Sequence, residues 1–330
     1  MKKKSSSIRL KASLCMGLAV VAQAAIAQEY PNQPVTLVTP FSTGGDADMA
    51  ARALGASAQK YLGKPIVILN KGGANGAIGS QQVKESRPDG YTLLLARVGS
   101  QVILPALQPT LSYKWNDFTF LGLLELNPVV CAVNKNSKIQ DFAGLVEQIK
   151  KEPGKLNYAT SGPATVLNLG PQMLFSELGL SAEAAVPISY KGAGDAVMGV
   201  LSGDVDFICT NVAPISALIK SDRLRGLITT TPERLTEFPS IPTAKETGYP
   251  QLEVIIGWSG LYGPPGMEKK LVDMWAKTLQ QVSKDKAWVQ ATTGAGSIPA
   301  IKSPSETSKY TADQFAAYDK LGKTLGIQLK

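Results

Sequence analysis

The chain has 330 residues, 44% of them hydrophobic and 18% charged, the balance of a globular protein rather than a disordered or fibrous one. It contains no histidine, which excludes Ser-His and Cys-His catalytic pairs, histidine general bases and histidine metal ligands. The formal net charge of +8 is concentrated at the N-terminus: without the first 27 residues, 29 basic face 26 acidic residues, a net charge of +3 with no basic cluster, so a nucleic-acid partner is not implied.

Residues 1–27 read as a secretory signal. Lys2, Lys3, Lys4, Arg9 and Lys11 precede a mostly apolar run from Ala12 to Ile26. Ala25-Ile26-Ala27 then supplies the small-x-small pattern of a cleavage site, which predicts export and a mature N-terminus at Gln28. The run is too short and too polar, at Ser13 and Gln23, for a membrane span. Leu14 before Cys15 is too bulky for lipoprotein processing.

From Gln28 onward, β-branched runs alternate with helical patterns. Pro34–Thr39 predicts a strand, Asp46–Leu62 a helix with an apolar stripe, Pro65–Leu69 a strand. A glycine-rich loop, a short helix and the strand Tyr91–Ala96 complete a βαβαβ unit, hence a parallel sheet with helices on its faces. After Pro128 the pattern restarts, with strands at Val129–Val133, Leu156–Ala159, Val186–Ser189, Phe207–Thr210 and Leu224–Thr229. Helices at Asp141–Lys151, Thr165–Leu178, Asp195–Leu201 and Ile215–Ile219 lie between them. Beyond Pro250 come a strand, Val254–Tyr262, and three helices, Glu268–Val282, Ala287–Thr292 and Ser305–Leu325. A helical tail with so few strands packs back on the first sheet. The expected domains are therefore 28–128 plus 252–330, and 129–251, with hinge strands near Pro128 and Ile255. Cys131 and Cys209 each fall in an apolar strand-like run; a disulfide is allowed, but two buried thiols are the simpler expectation.

Ligands of open α/β sheets bind beyond the C-terminal ends of strands, so the strand-to-helix loops carry the candidate chemistry. The first is Pro40–Asp48 (PFSTGGDAD), where glycines admit close backbone approach and the helix start favours an anion. Thr160–Thr165 (TSGPAT) mirrors it in the second domain, and the two together would clamp a carboxylate from both sides. Gly72–Gly79 lacks both the dinucleotide and the NTPase phosphate spacing and reads as a structural loop. Lys191, in YKGAGD, reads as a solvated charge. Arg97 directly follows a strand and could fork a carboxylate or form a salt bridge across the cleft.

PFSTGGDADMAAR, PDGYTLLLA, PGKLNYATSG, SYKGAGDAV, LSGDVDF and RLTEFPSIPTAKETGYP, in this order, resemble the periplasmic receptors of tripartite tricarboxylate transporters, the Bug family. The resemblance implies an α/β fold of two domains, a type II Venus flytrap with a mixed, mainly parallel sheet in each domain. It implies no cofactor, no catalysis, and a monomer that delivers a small carboxylate to membrane permease subunits. By position it points to Phe41, Ser42, Thr43, Gly44, Asp46, Ala47 and Asp48 on one side of a cleft, and to Ser161, Gly162, Thr165 and Asn211 on the other. Arg97 and Thr210 depart from the family pattern toward a more positive pocket, and Ala164 replaces a usual glycine. These departures predict a ligand with a second negative charge, its distal carboxylate paired with Arg97. Citrate-like tricarboxylates, aliphatic dicarboxylates and aromatic ones such as terephthalate all fit, Phe41 being able to stack on a ring. A carboxylate sensor of the same fold is the alternative to a transport receptor. A hydrolase is disfavoured by the missing histidine and the missing G-x-S-x-G elbow.

Overall fold

The computed structural model describes residues 30–329. The expected signal segment, 1–27, and its cleavage after Ala27 lie outside these residues. Short β-branched runs form the first strands, β1 (Val35–Thr39), β2 (Ile66–Asn70) and β3 (Thr92–Arg97), and the amphipathic segments between them form α1 (Asp46–Leu62) and α2 (Ala77–Lys84). β1 pairs in parallel with both β2 and β3. A π-helical turn (Gly99–Ile103) then runs straight into α3 (Leu104–Leu107).

The next strand, β4 (Thr119–Asn127), has no counterpart in the sequence reading. Its central residues are buried on both faces, so it lacks the polar–apolar alternation that marks a half-exposed strand. Pro128 alone separates it from β5 (Val129–Asn134), which belongs to the other sheet. The chain continues through α4 (Phe142–Lys151), β6 (Asn157–Thr160), α5 (Val166–Glu177), β7 (Val186–Ser189), α6 (Ala193–Ser202), β8 (Phe207–Asn211), α7 (Ser216–Lys220) and β9 (Leu224–Thr229). The strand expected at Val254–Tyr262 begins later, as β10 (Gly257–Gly263), because residues 250–254 form a 3-10 turn. α8 (Lys269–Val282), α9 (Lys286–Gly294), β11 (Ile298–Lys302) and α10 (Pro304–Leu325) follow. β11, whose Ile-Pro start reads as loop, was also not anticipated.

The strands assemble into two mixed sheets, β11-β4-β10-β3-β1-β2 and β7-β6-β8-β5-β9. The βαβ units supply the parallel pairs, and β5, β10 and β11 run antiparallel to their neighbours. Two segments cross between the sheets side by side. Asn127 pairs with Gly257, and Thr230 ties them by donating from its hydroxyl to Ile255 O (2.8 Å) and from its amide to Val129 O (2.9 Å). One face of the first sheet is sealed by α1, α8 and α9 through Leu54, Trp275, Leu279 and Trp288; a second core runs from its other face into the second sheet.

The cysteines are a correction. β5 and β8 run antiparallel in a register that sets Cys131 opposite Cys209, and the two form a disulfide rather than two thiols. Facing cysteines on adjacent antiparallel strands have side chains on the same face at bonding distance, a juxtaposition that only strand pairing reveals.

Candidate ligand-binding site

The C-terminal ends of β1, β3, β6 and β8 face one another, and a cavity of about 40 Å³ lies among the loops that follow them. Phe41, Ser42, Gly45 and Asp46 line it from the β1–α1 loop; Arg97, Val98 and Gly99 line it from the end of β3. Ser161, Thr165, Val166 and Leu167 come from the β6–α5 loop and the start of α5. Ala193, at the start of α6, and Asn211, at the end of β8, complete it.

Three of these helices of two or more turns, α1, α5 and α6, begin at the cavity. Their N-cap residues are Gly45, Thr165 and Gly192, and none contributes a side-chain cap. Thr165 donates its hydroxyl to Gly162 O instead (2.8 Å). Away from the cavity, α4, α9 and α10 are capped by Asp141, Asp285 and Ser303, whereas α2 and α8 also lack a side-chain cap. A helix start without a side-chain cap leaves first-turn N–H groups open to a ligand, and the partial positive charge there favours an anion; in α1 one of these groups, Ala47 N, already donates to Asp46 Oδ1 (2.9 Å). Ser42 Oγ, buried with no protein partner, adds another open polar group.

The first loop is braced from behind. Asn70 donates to Thr39 Oγ1 (2.6 Å) and Asp48 Oδ1 (3.1 Å), and Gly44 N donates to Asp48 Oδ2 (3.1 Å). Arg52 also pairs with Asp48 (3.0 Å), and these donors hold the Asp48 carboxyl below its usual range against the cost of its own desolvation. Asp48 therefore supports the loop and does not line the cavity. Of the remaining expected site residues, Thr43 and Gly44 are exposed, Ala47 is buried in the core, and Gly162 lies just outside the lining. The other seven, Phe41, Ser42, Asp46, Arg97, Ser161, Thr165 and Asn211, converge on one cavity.

Of the two roles expected for Arg97, a fork for a ligand carboxylate or a salt bridge across the cleft, the structure shows a salt bridge, but to an acid of its own half. Arg97 is 3% exposed, forms an ion pair with Asp46 and donates to Ser259 Oγ. Asn211 Nδ2 donates to the same Asp46 carboxylate. Ser259 Oγ in turn donates to Glu125 Oε1 (2.9 Å), which also accepts from Asn127 Nδ2 (2.9 Å). Burial pushes the Glu125 carboxyl above the usual range, opposed by its donors and by the nearby Arg97. The charge on Arg97 is thus answered within the protein. Removing the guanidinium alone would leave Asp46 buried and unpaired, a loss of about 3–5 kcal/mol.

Glycines line the seam where the two halves touch. A Cβ on Gly192 would collide with Ser42 Oγ, and one on Gly162 would collide with Asn75 Oδ1. A Cβ on Gly99 would lie 3.2 Å from Ala164 O. The Gly72–Gly79 loop, read from sequence as purely structural, therefore also reaches the opposite half through Asn75. Gly45 lines the cavity, as the glycines of its loop suggest; Val98, Gly99, Val166, Leu167 and Ala193 line it without having been singled out, since they contribute backbone and small or apolar surface, which carries no chemical signature in a sequence.

Residues 50–327 match the model of the tripartite tricarboxylate transporter family receptor. Protein BugT of Bordetella pertussis is 30% identical over 306 residues, covering 92% of this chain and 93% of BugT. The structure of periplasmic binding protein BugD superposes with a TM-score of 0.86 at 30% identity, over 91% of this chain and all of BugD. R. palustris Rpa4515 with adipate superposes with a TM-score of 0.86 at 25% identity, over 91% of this chain and 99% of that protein.

Proposed function

We propose, starting from the fact that this chain belongs to the tripartite tricarboxylate transporter receptor family, that it is a periplasmic receptor which captures a small carboxylate and presents it to the membrane permease of such a transporter. The observation that carries this reading is the convergence of three helix starts without side-chain caps on one cavity between the two sheets. Such a site stabilises an oxyanion through backbone N–H groups without needing a dedicated cation. Phe41, Ser42, Asp46 and Arg97 contact the ligand from one half, and Ser161, Thr165 and Asn211 from the other. The halves are 28–128 plus 252–330, and 129–251. They rotate about the paired crossings near Pro128 and Ile255, opening to admit ligand and closing on it. The closed form docks as a monomer, and the protein performs no catalysis. Export through residues 1–27 places it in the periplasm, an oxidising compartment in which the Cys131–Cys209 disulfide persists.

A melting-temperature screen of the purified protein against mono-, di- and tricarboxylates tests the reading, because a ligand that binds only the folded state raises the melting temperature. At a hundred-fold excess over Kd the gain is about 2.7 kcal/mol. A shift with one or a few carboxylates, and none with sugars or organic cations lacking a carboxylate, is the expected result. No shift with any carboxylate overturns it.

A further inference from the structure

The cavity at the helix starts measures about 40 Å³. One buried water needs about 10–15 Å³ of such space, so the cavity suits a carboxylate with about one to three further carbons. Its size is set by contact between the halves. Gly192 and Gly162 leave no room for a Cβ against Ser42 and Asn75, and a Cβ on Gly99 would press on Ala164 O. Asn211 of one half donates to Asp46 of the other. A bulkier ligand would hold the halves apart and break that bond.

One wall of the cavity is fully bonded. Asp46 accepts from Arg97, from Asn211 and from Ala47 N (2.9 Å), and Arg97 is held in turn by Ser259. A second cavity, of about 290 Å³, also borders Asp46, the only lining residue the two share among those described. Arg97 and Asn211 line the first cavity alone. With its carboxylate fixed by these donors, Asp46 cannot swing aside to join the two spaces.

Charge sets the same limit. Arg97 is the only lysine or arginine among the lining residues, and Asp46 neutralises it. The three helix starts suit one anion. A second carboxylate in so small a space would lie within about 4–6 Å of the first, with no cation left to offset the repulsion. Phe41, Val98, Val166, Leu167 and Ala193 present apolar surface instead, which suits a short alkyl tail. Ser42 Oγ, buried with no protein partner, is open to the carboxylate or to a hydroxyl beside it.

We propose that the ligand is a short monocarboxylate: its carboxylate sits at the starts of α1, α5 and α6, its uncharged tail lies against Phe41, Val98 and Leu167, and the Arg97–Asp46–Asn211 wall excludes longer acids and a second charged group. Asp46 is then a specificity-determining residue that acts by closing the cavity and cancelling Arg97. This deepens the carboxylate-receptor reading and rests on it.

Calorimetric titration tests the inference with two sets of probes: acetate, propanoate, butanoate and lactate, against hexanoate, succinate, adipate and citrate. The best short acid should bind the wild-type protein at least tenfold more tightly than every member of the second set. A smaller margin, or a longer or multiply charged acid that binds best, overturns the inference and leaves the receptor reading standing. Absence of heat with all eight overturns both. In Asp46→Ala the wall opens and Arg97 is released, so affinity for succinate relative to propanoate should rise at least tenfold; an unchanged ratio also overturns the inference. If Asp46→Ala does not fold, the wild-type comparison decides alone.

Discussion

Glu125 is the residue whose environment departs furthest from its chemistry. It is buried beside Arg97, Ser259 and Asn127, and desolvation raises its carboxyl above the usual value of 4.5. The folded protein therefore keeps a proton that the unfolded chain releases once the pH passes about 4.5. Stability from this source is complete below that pH and is lost as pH rises through the folded-state value. Glu125→Gln removes the titration while keeping an acceptor for Asn127. Urea unfolding between pH 4 and pH 8 should show the wild-type midpoint falling with pH more than that of Glu125→Gln; parallel profiles would show that Glu125 stays ionised in the fold. Arg97 illustrates what a strand-end position reveals and what it conceals. Its place at the rim of the cleft follows from the strand Tyr91–Ala96. Its partner Asp46 lies 51 positions away in sequence, on another element, and only folding shows that the two charges cancel.

At the scale of elements, glycines allow the close approach of the two halves along their seam. Gly192 has extended backbone (φ −172°), which any residue adopts, so a side chain there acts through the cleft and not through strain. Gly192→Val should weaken carboxylate binding at least tenfold in a calorimetric titration while leaving the melting temperature of the ligand-free protein within a few degrees of wild type. Unchanged affinity would mean that binding does not require this approach of Gly192 to Ser42. The elements themselves were legible to unequal degrees. α1 spans Asp46–Leu62 as its apolar stripe predicts, closed by Gly63 in the left-handed region (φ 69°). β4 was not, because burial on both faces erases alternation and Glu125 in its middle reads as a surface charge. The turn after β3, which brings Val98 and Gly99 to the cavity, escaped notice for a related reason: Gly99–Ile103 winds as a π-helix and Pro105 follows, so no helical stripe develops.

At the scale of the whole molecule, the chain crosses between its sheets twice, and the crossings lie side by side at Asn127–Gly257 and Thr230–Ile255. Gly257 is held to glycine by its neighbour, since a Cβ there would collide with Asn211 Oδ1. The crossing thus touches a residue that also lines the cavity and bonds Asp46, giving a physical link between crossing and pocket. The loop motifs of the sequence pointed to both halves of the cavity because ligands of open α/β sheets bind beyond the C-terminal ends of strands, where these loops lie. The charge of the pocket could not be read the same way, since it depends on which buried groups meet. The most direct measurement is the crystal structure of the protein with the carboxylate that gives the largest thermal shift. The ligand carboxylate is predicted to lie within hydrogen-bonding distance of the loop before α1, at Ser42–Asp46, and of the α5 start, at Thr165–Leu167, in the same molecule. A carboxylate bound against one half only, or outside the cavity lined by Asp46 and Asn211, would contradict the two-sided clamp.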